Sequence, residues 1–333
     1  MTKILAIESS CDETSASVII DGNIKSNLIA TQEIHRLYGG VVPELASRAH
    51  QQNIVPVVME ALKEAQITTK ELDAIAFTRG PGLLGALIVG TAFAKSLALS
   101  LEIPLIEVNH MQAHVLAHFI DEPKPKFPFL CLTVSGGHTQ IVLVKDYLEM
   151  EVIGTTQDDA VGEAFDKTAK ILGLPYPGGI EIDKLSQKGT VQNYGLPKVN
   201  LPNLDFSFSG LKTAILYFIR KQEQKNPDFI KENINDICAT IQHTLVQTLL
   251  RKIIQAAEQK GINQIAIAGG VSANSELRKK MTELGKEKNW DIFIPKMEYC
   301  TDNAAMIAMA AHYKFLKKEF SNQTVAPLSR MNF

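Results

Sequence analysis

The stretch NHMQAHVLAH, residues 109–118, sets three of the chain's eight histidines four residues apart. On an α-helix, His110 and His114 lie one turn apart on one face, where two imidazoles can meet a single cation. His118 has moved about 40° further round, which places it around such a site or in solvent. Two ligands do not complete a metal site, and two surface or core histidines share the spacing. A helix-borne zinc protease carries a glutamate after the first histidine, as in H-E-x-x-H, to take a proton from metal-bound water. Met111 stands there, which removes the main support for proteolysis. The missing ligand is expected from an acid in the other lobe of the molecule. Asp302, in YCTDNAAMIAMAA at the start of a small-residue helix, is the best candidate, although Asp at such a place is also a common helix cap.

Two glycine turns point to a different chemistry. TVSGGHTQIVLV, residues 133–144, reads as strand, Ser-Gly-Gly turn and strand; glycines there let backbone N–H groups approach an anion. AGGVSANSELR, residues 268–278, runs from a strand through a second glycine turn into a helix, with N–H groups able to face a phosphate or ribose and Asn274 as ligand contact or cap. GEAFDKTAKILGLPYPGG, residues 162–179, sets Asp166 on a helix ahead of Gly178-Gly179 and then Asp183. Acids beside glycine turns hold ribose hydroxyls or amines, or simply face solvent. No G-x-x-x-x-G-K-[ST] loop occurs, so an autonomous P-loop ATPase is excluded.

The elements that must position these residues follow from periodicity. Residues 4–10, 15–20 and 23–31 read as three strands, with Asp21-Gly22 a strong hairpin turn. A helix over 43–66, strand 74–78, a small-residue helix over 83–100, strand 105–108 and the histidine helix complete a βββαβαβα order. The pattern restarts at residue 129: strands over 129–135, 139–144 and 149–155, a helix over 162–172, strand 264–268, a helix over 274–288, strand 291–295 and a helix from Asp302. PKPKFP, residues 123–128, reads as the joint. The expectation is an α/β fold of two duplicated lobes around a cleft, with ligands at strand ends. The N-terminal lobe spans 1–122. The C-terminal lobe spans 123–311, with a mainly helical insertion over 175–262, and a last helix over 312–333 packs back on the first lobe.

Hydrophobic residues make up 45% of the 333 and the net charge is −2, which describes a folding chain and argues against gripping nucleic acid by bulk electrostatics alone. MTKILAIESS soon meets Glu8, Asp12 and Glu13 and fits neither a secretory h-region nor a membrane span, so a cytoplasmic location with no membrane partner is expected. Cys11, Cys131, Cys238 and Cys300 form no C-x-x-C pair and read as buried free thiols.

ESSCDET, GGVVPELASRAH, NHMQAH, TVSGGHTQ, GEAFDK, YPGG, DFSFSGLKTA, AGGVSANSELR and TDNAAMIA lie along nearly the whole chain. In this order they resemble the tRNA N6-adenosine threonylcarbamoyltransferases, the TsaD family formerly described as glycoproteases or O-sialoglycoprotein endopeptidases, in its bacterial branch. The resemblance implies an actin-like ATPase fold, shared with sugar kinases and Hsp70. It implies one divalent cation, Fe2+ or otherwise Zn2+, on His110, His114 and Asp302. It further implies a substrate loop at Thr133, Val134, Ser135, Gly136 and Gly137, and donor contacts from Asp166, Gly179, Asp183 and Asn274. Glu13 matches an acid associated with activity. Ile180 stands where the family commonly has proline after YPGG.

The implied reaction moves threonylcarbamoyl from threonylcarbamoyl-AMP to the N6 amine of adenosine just 3′ of the anticodon (position 37), in tRNAs reading codons that begin with A. Implied partners are tRNA, a shorter paralogue of the same fold (TsaB) and a small P-loop ATPase (TsaE). Rival readings are a metalloendopeptidase, resting on the histidine spacing alone, and an actin-like nucleotide-binding module, resting on the glycine turns alone.

Overall fold

The computed structural model describes residues 1–32, 34–197 and 201–333. The strands are β1 (Lys3–Glu8), β2 (Thr14–Ile20), β3 (Asn23–Ala30), β4 (Ala74–Gly80), β5 (Leu105–Asn109), β6 (Phe129–Val134), β7 (Thr139–Asp146), β8 (Glu149–Thr155), β9 (Gln264–Ala268) and β10 (Asp291–Phe293). The helices are α1 (His35–Tyr38), α2 (Pro43–Glu64), α3 (Leu84–Leu101), α4 (His110–Leu116), α5 (Val161–Ile171), α6 (Gly178–Ser186), α7 (Ser209–Glu223), α8 (Phe229–Lys260), α9 (Ser275–Lys288) and α10 (Ala304–Leu316).

The chain divides into two compact units. The first holds residues 1–125, 145–150 and 295–333, and the second 126–144 and 151–294. In the first, the sheet order is β3-β2-β1-β4-β5, with β1, β2 and β3 antiparallel and β1, β4 and β5 parallel. In the second, the order β8-β7-β6-β9-β10 repeats that topology, with β6 and β7 antiparallel and β6, β9 and β10 parallel. The duplicated arrangement is thus present in both sheets.

Each sheet buries one apolar layer. In the first unit Leu5, Ile7, Val18 and Phe77 pack against Ile54, Val58 and Leu62 of α2 and Ala94 and Ala98 of α3. Alanine and glycine let α3 lie close to the strands. Leu84–Leu101 is long and apolar enough to cross a membrane by composition; here its Ala86, Leu87, Gly90, Ala94 and Ala98 are buried within the unit. In the second unit Leu130, Leu132, Ile265 and Ile267 join Phe165, Phe206, Phe208 and a long row from α8.

Two features differ from the sequence reading. The segment 295–311, expected in the C-terminal lobe, belongs with the first unit: α10 opens with a buried run of alanine, methionine and isoleucine, Ala304 to Ala311, and packs on β1, β2, β3 and β5. The helix expected over 312–333 ends at Leu316. Beyond it the backbone spends its hydrogen-bonding groups on β5, β4 and α3 instead: Ser321 N donates to Leu105 O (2.7 Å), Leu328 N to Arg79 O (2.8 Å), and Val325 O accepts from Lys95 Nζ (3.0 Å).

Candidate functional site

In the first unit the parallel strands β1, β4 and β5 end side by side, since Ile7 is in register with Phe77 and Thr78 with Val108. Their last residues carry the chemistry. Asn109 closes β5 and caps α4, its Oδ1 accepting from Met111 N (2.9 Å) and Gln112 N (3.2 Å). Its Nδ2 donates to Asn332 O (2.7 Å), so the C-terminal tail steadies the start of the histidine helix. His110 and His114 then stand one turn apart with ring centroids 4.7 Å apart and planes at 86°.

Asp302 reaches both rings. Its Oδ1 lies 3.3 Å from His110 Nε2 and 3.3 Å from His114 Nε2. The helix cap is Asn303, which accepts from Met306 N (3.0 Å), while Ser15 Oγ accepts from Ala304 N (2.8 Å) and Asn27 Oδ1 from Ala305 N (3.1 Å). The capping role considered for Asp302 is therefore filled by its neighbour, and the carboxylate is left for the histidines. All three residues belong to one unit, so Asp302 is not supplied by an opposite lobe as expected. His118 is buried in the turn after α4 and outside the trio.

The electrostatics suit a cation. Burial pushes the Asp302 carboxyl up, but the adjacent imidazoles overcome it and hold the group well below the ordinary carboxylate range. Burial pushes His110 down, but Asp302 and Glu8 overcome it and raise the ring well above the usual value; burial wins at His114, which is lowered. At 3.3 Å the His114–Asp302 pair attracts but misses hydrogen-bond geometry, so both ring nitrogens of His114 are buried with no hydrogen-bond partner among the described residues. A buried orphan nitrogen is costly, and a coordinated cation removes the cost. With donor atoms within 4.8 Å of one another, two imidazoles and one carboxylate fit a divalent transition metal.

Glu13 lies in the turn after β1. His50 of α2 ties this turn down: its Nδ1 bonds Thr14 Oγ1 (2.8 Å) and its Nε2 bonds Cys11 O (3.0 Å). Burial, with Asp302 and Asp12 nearby, pushes Glu13 up to about 9.

The second unit has a different strand end. Val134 closes β6, and Ser135-Gly136-Gly137 turns back with Ser135 N donating to His138 O (2.8 Å); no atom stands within 4 Å of a Cβ placed on Gly136 or Gly137. Two glycines press on this turn. A Cβ on Gly162, at the start of α5, would stand 2.6 Å from Ser135 O, and one on Gly269, whose φ is +88°, 2.5 Å from Val134 O. Thr133 Oγ1 donates to Gln140 O (3.4 Å). Asp166 on α5 accepts from Gly178 N (2.8 Å) and Gly179 N (3.2 Å), fixing the start of α6.

Asp183 on α6 accepts from Ser275 Oγ (2.6 Å), Ser275 N (3.2 Å) and Gln242 Nε2 (3.0 Å). Asn274 caps α9 through Leu277 N (3.0 Å) and donates to Gln242 Oε1 (2.8 Å). The structure thus joins Asp183 to Asn274 through Gln242, a buried α8 residue in no glycine motif. Ile180 is exposed, and α6 forms with Asp183 anchored despite the absent proline.

The TsaD family model, described as tRNA N6-adenosine threonylcarbamoyltransferase, matches residues 23–309. Proteins of that name from Christiangramia forsetii and Cytophaga hutchinsonii are 59% and 58% identical to this chain. The alignments cover 99% and 98% of it, and 98% and 96% of the relatives. Among solved structures, HypF from T. kodakarensis superposes with a TM-score of 0.62 at 14% identity, over 96% of this chain and 48% of that one. The activator of the 2-hydroxyisocaproyl-CoA dehydratase from Clostridium difficile gives 0.51 at 14% identity, over 96% and 99%. These two likenesses concern the fold, which is the actin-like ATPase fold.

Proposed function

The chain belongs to the tRNA N6-adenosine threonylcarbamoyltransferase family, and from that membership we propose that it transfers threonylcarbamoyl from threonylcarbamoyl-AMP to the N6 amine of adenosine 37 in tRNAs reading codons that begin with A. The amine nitrogen bonds to the carbamoyl carbon, the bond from that carbon to the phosphate oxygen breaks, AMP departs with the electron pair, and the amine proton passes to water. The observation that best supports the reading within the chain is the His110–His114–Asp302 trio, whose buried unpartnered imidazole asks for a cation.

Residues 133–137 and 269–270 would hold the adenylate, with open space for a phosphate at Gly136, Gly137 and Gly270. Asp166 spends only Oδ1 on Gly178 and Gly179, leaving Oδ2 for a donor hydroxyl. Gly179, Asp183 and Asn274 would complete the donor contacts. His110, His114 and Asp302 would hold a divalent cation, Fe2+ or alternatively Zn2+, which when bound supplies Lewis-acid polarisation of the donor's oxygens. The mixed anhydride is already activated, so orientation carries much of the acceleration, on the order of 7–11 kcal/mol in favourable cases. Glu13, in the turn after β1, would act beside the reacting groups.

A net charge of −2 favours tRNA delivery with partners: the shorter paralogue (TsaB) and the P-loop ATPase (TsaE), in the cytoplasm, where the tRNA is. Val55 and Met59 on α2 and Leu84 and Ile88 on α3 are all about half exposed and would be available to such a partner. The test is nucleoside mass spectrometry of tRNA incubated with the purified chain, donor and both partners. N6-threonylcarbamoyladenosine is expected in the complete mixture and not when the chain is left out; tRNA left unmodified by the complete mixture would sink the reading.

A further inference from the structure

We propose that Glu8, which none of the motif roles above employs, is the positioning residue of the cation site: it fixes the tautomer and orientation of His110 so that Nε2 is the nitrogen offered to the cation. The inference rests on the trio being a cation site.

Glu8 is the last residue of β1 and has no exposed surface. A carboxylate is almost never buried so completely without compensation. Here three donors supply it. Oε1 accepts from Ser10 N (2.5 Å), and Oε2 accepts from Thr78 Oγ1 (2.6 Å) and lies 3.0 Å from His110 Nδ1. An ionised carboxylate only accepts hydrogen bonds, so the proton between Oε2 and Nδ1 sits on the histidine. Ser10 Oγ, 3.2 Å from the same Nδ1, flanks the ring.

With Nδ1 carrying hydrogen toward Glu8, the nitrogen left to bind a cation is Nε2, which faces Asp302 at 3.3 Å. Glu8 therefore touches the ring on the side away from the other two ligands. It is not placed like the glutamate of a zinc protease, which must reach water on the cation. It is placed as the outer carboxylate that orients a ligating imidazole and raises its basicity. The sheet makes this placement: β1, β4 and β5 are adjacent and parallel, so Glu8, Thr78 and His110 arrive together at their carboxyl ends. His114 contrasts with its neighbour, for neither of its ring nitrogens has a hydrogen-bond partner among the described residues.

The test is calorimetric titration of the full-length protein with Zn2+, together with the visible spectrum of its Co2+ form, in Glu8→Leu, Glu8→Gln, Thr78→Val and His114→Ala. Loss of such an outer partner lowers metal affinity about 10- to 100-fold. We expect a fall in that range for Glu8→Leu, a smaller one for Glu8→Gln, which keeps shape and loses charge, and a few-fold fall for Thr78→Val, which only loosens Glu8. The Co2+ bands should shift in each, a change that mere loss of stability does not produce. A folded Glu8→Gln protein with wild-type Zn2+ affinity and Co2+ spectrum would overturn the proposal. Should both Glu8 variants fail to fold, Thr78→Val decides, and wild-type behaviour there overturns it. His114→Ala separates the two layers: undiminished Zn2+ binding in that variant removes the cation site itself, whereas lost binding there with unchanged Glu8 variants removes only the role of Glu8.

Discussion

The two units share a strand order and differ in what stands at the ends of the central strands. In the first, Glu8 at the end of β1, Thr78 near the end of β4 and His110 just after β5 come together as polar side chains. In the second, β6 and β9 end in glycine turns, exposed at Gly136 and Gly137 and buried at Gly269. On the proposed function, one topology serves a cation in one copy and a phosphate in the other, because the sheet fixes only where strand ends lie while the residues placed there decide the chemistry. It also means that substitutions at the two ends should fail differently.

The largest expected effect is at the cation end. His114→Ala should abolish metal retention, measured by metal analysis of the purified protein, and lower tRNA modification at least about a hundredfold, since Lewis-acid stabilisation is worth several kcal/mol. Binding of a non-hydrolysable donor analogue to the glycine end should survive. Next is Gly162→Ala, whose added Cβ meets Ser135 O. Donor affinity by calorimetry should drop about tenfold, or about 1.4 kcal/mol, with metal content unchanged. Equal loss of metal in this variant would break the separation of the two ends.

Gln242→Leu is smaller. It removes the amide that links Asp183 to Asn274, at about 1 kcal/mol per lost bond, so the donor KM should rise several-fold while kcat stays within about twofold. The smallest effect is structural. Asp158 accepts from Ser207 Oγ (2.5 Å), Ser209 Oγ (2.6 Å) and Phe208 N (2.8 Å), tying down the start of α7. Burial pushes its carboxyl up, but these donors hold it below the ordinary value. A depressed folded pKa gives stabilisation that is present above about 3.9, the unfolded value, and lost as pH falls through the folded one. Thermal melts should show Asp158→Ala less stable by about 1 kcal/mol at pH 7, with the gap to wild type closing on acidification.

Much of this was legible in the residues because local pattern and sheet position agree. The β-meander, α2, α3 and the strand 264–268 follow from periodicity, and the restart at residue 129 discloses the second sheet. The spacing of His110 and His114 and the small-residue run after Asp302 pick out the trio. What sequence could not give is the partner of each long-range contact. Asp302 was assigned to the wrong unit because α10 packs back on β1, β2, β3 and β5 across most of the chain's length. Glu8 lies within ESSCDET, yet its role arises from Thr78 and His110, brought beside it by strand pairing. Gln242 sits midway along a 32-residue helix, where nothing local distinguishes it from a core polar residue. The tail beyond Leu316 was read as helix, but its backbone groups are taken by Leu105 and Arg79.

The most direct test of the central claim compares wild type with Asp302→Ala in a reaction containing tRNA, threonylcarbamoyl-AMP and both partners, with product nucleosides counted by mass spectrometry and folding checked by circular dichroism. The account predicts N6-threonylcarbamoyladenosine from the wild type and almost none from the folded variant. Equal product from the two would contradict it.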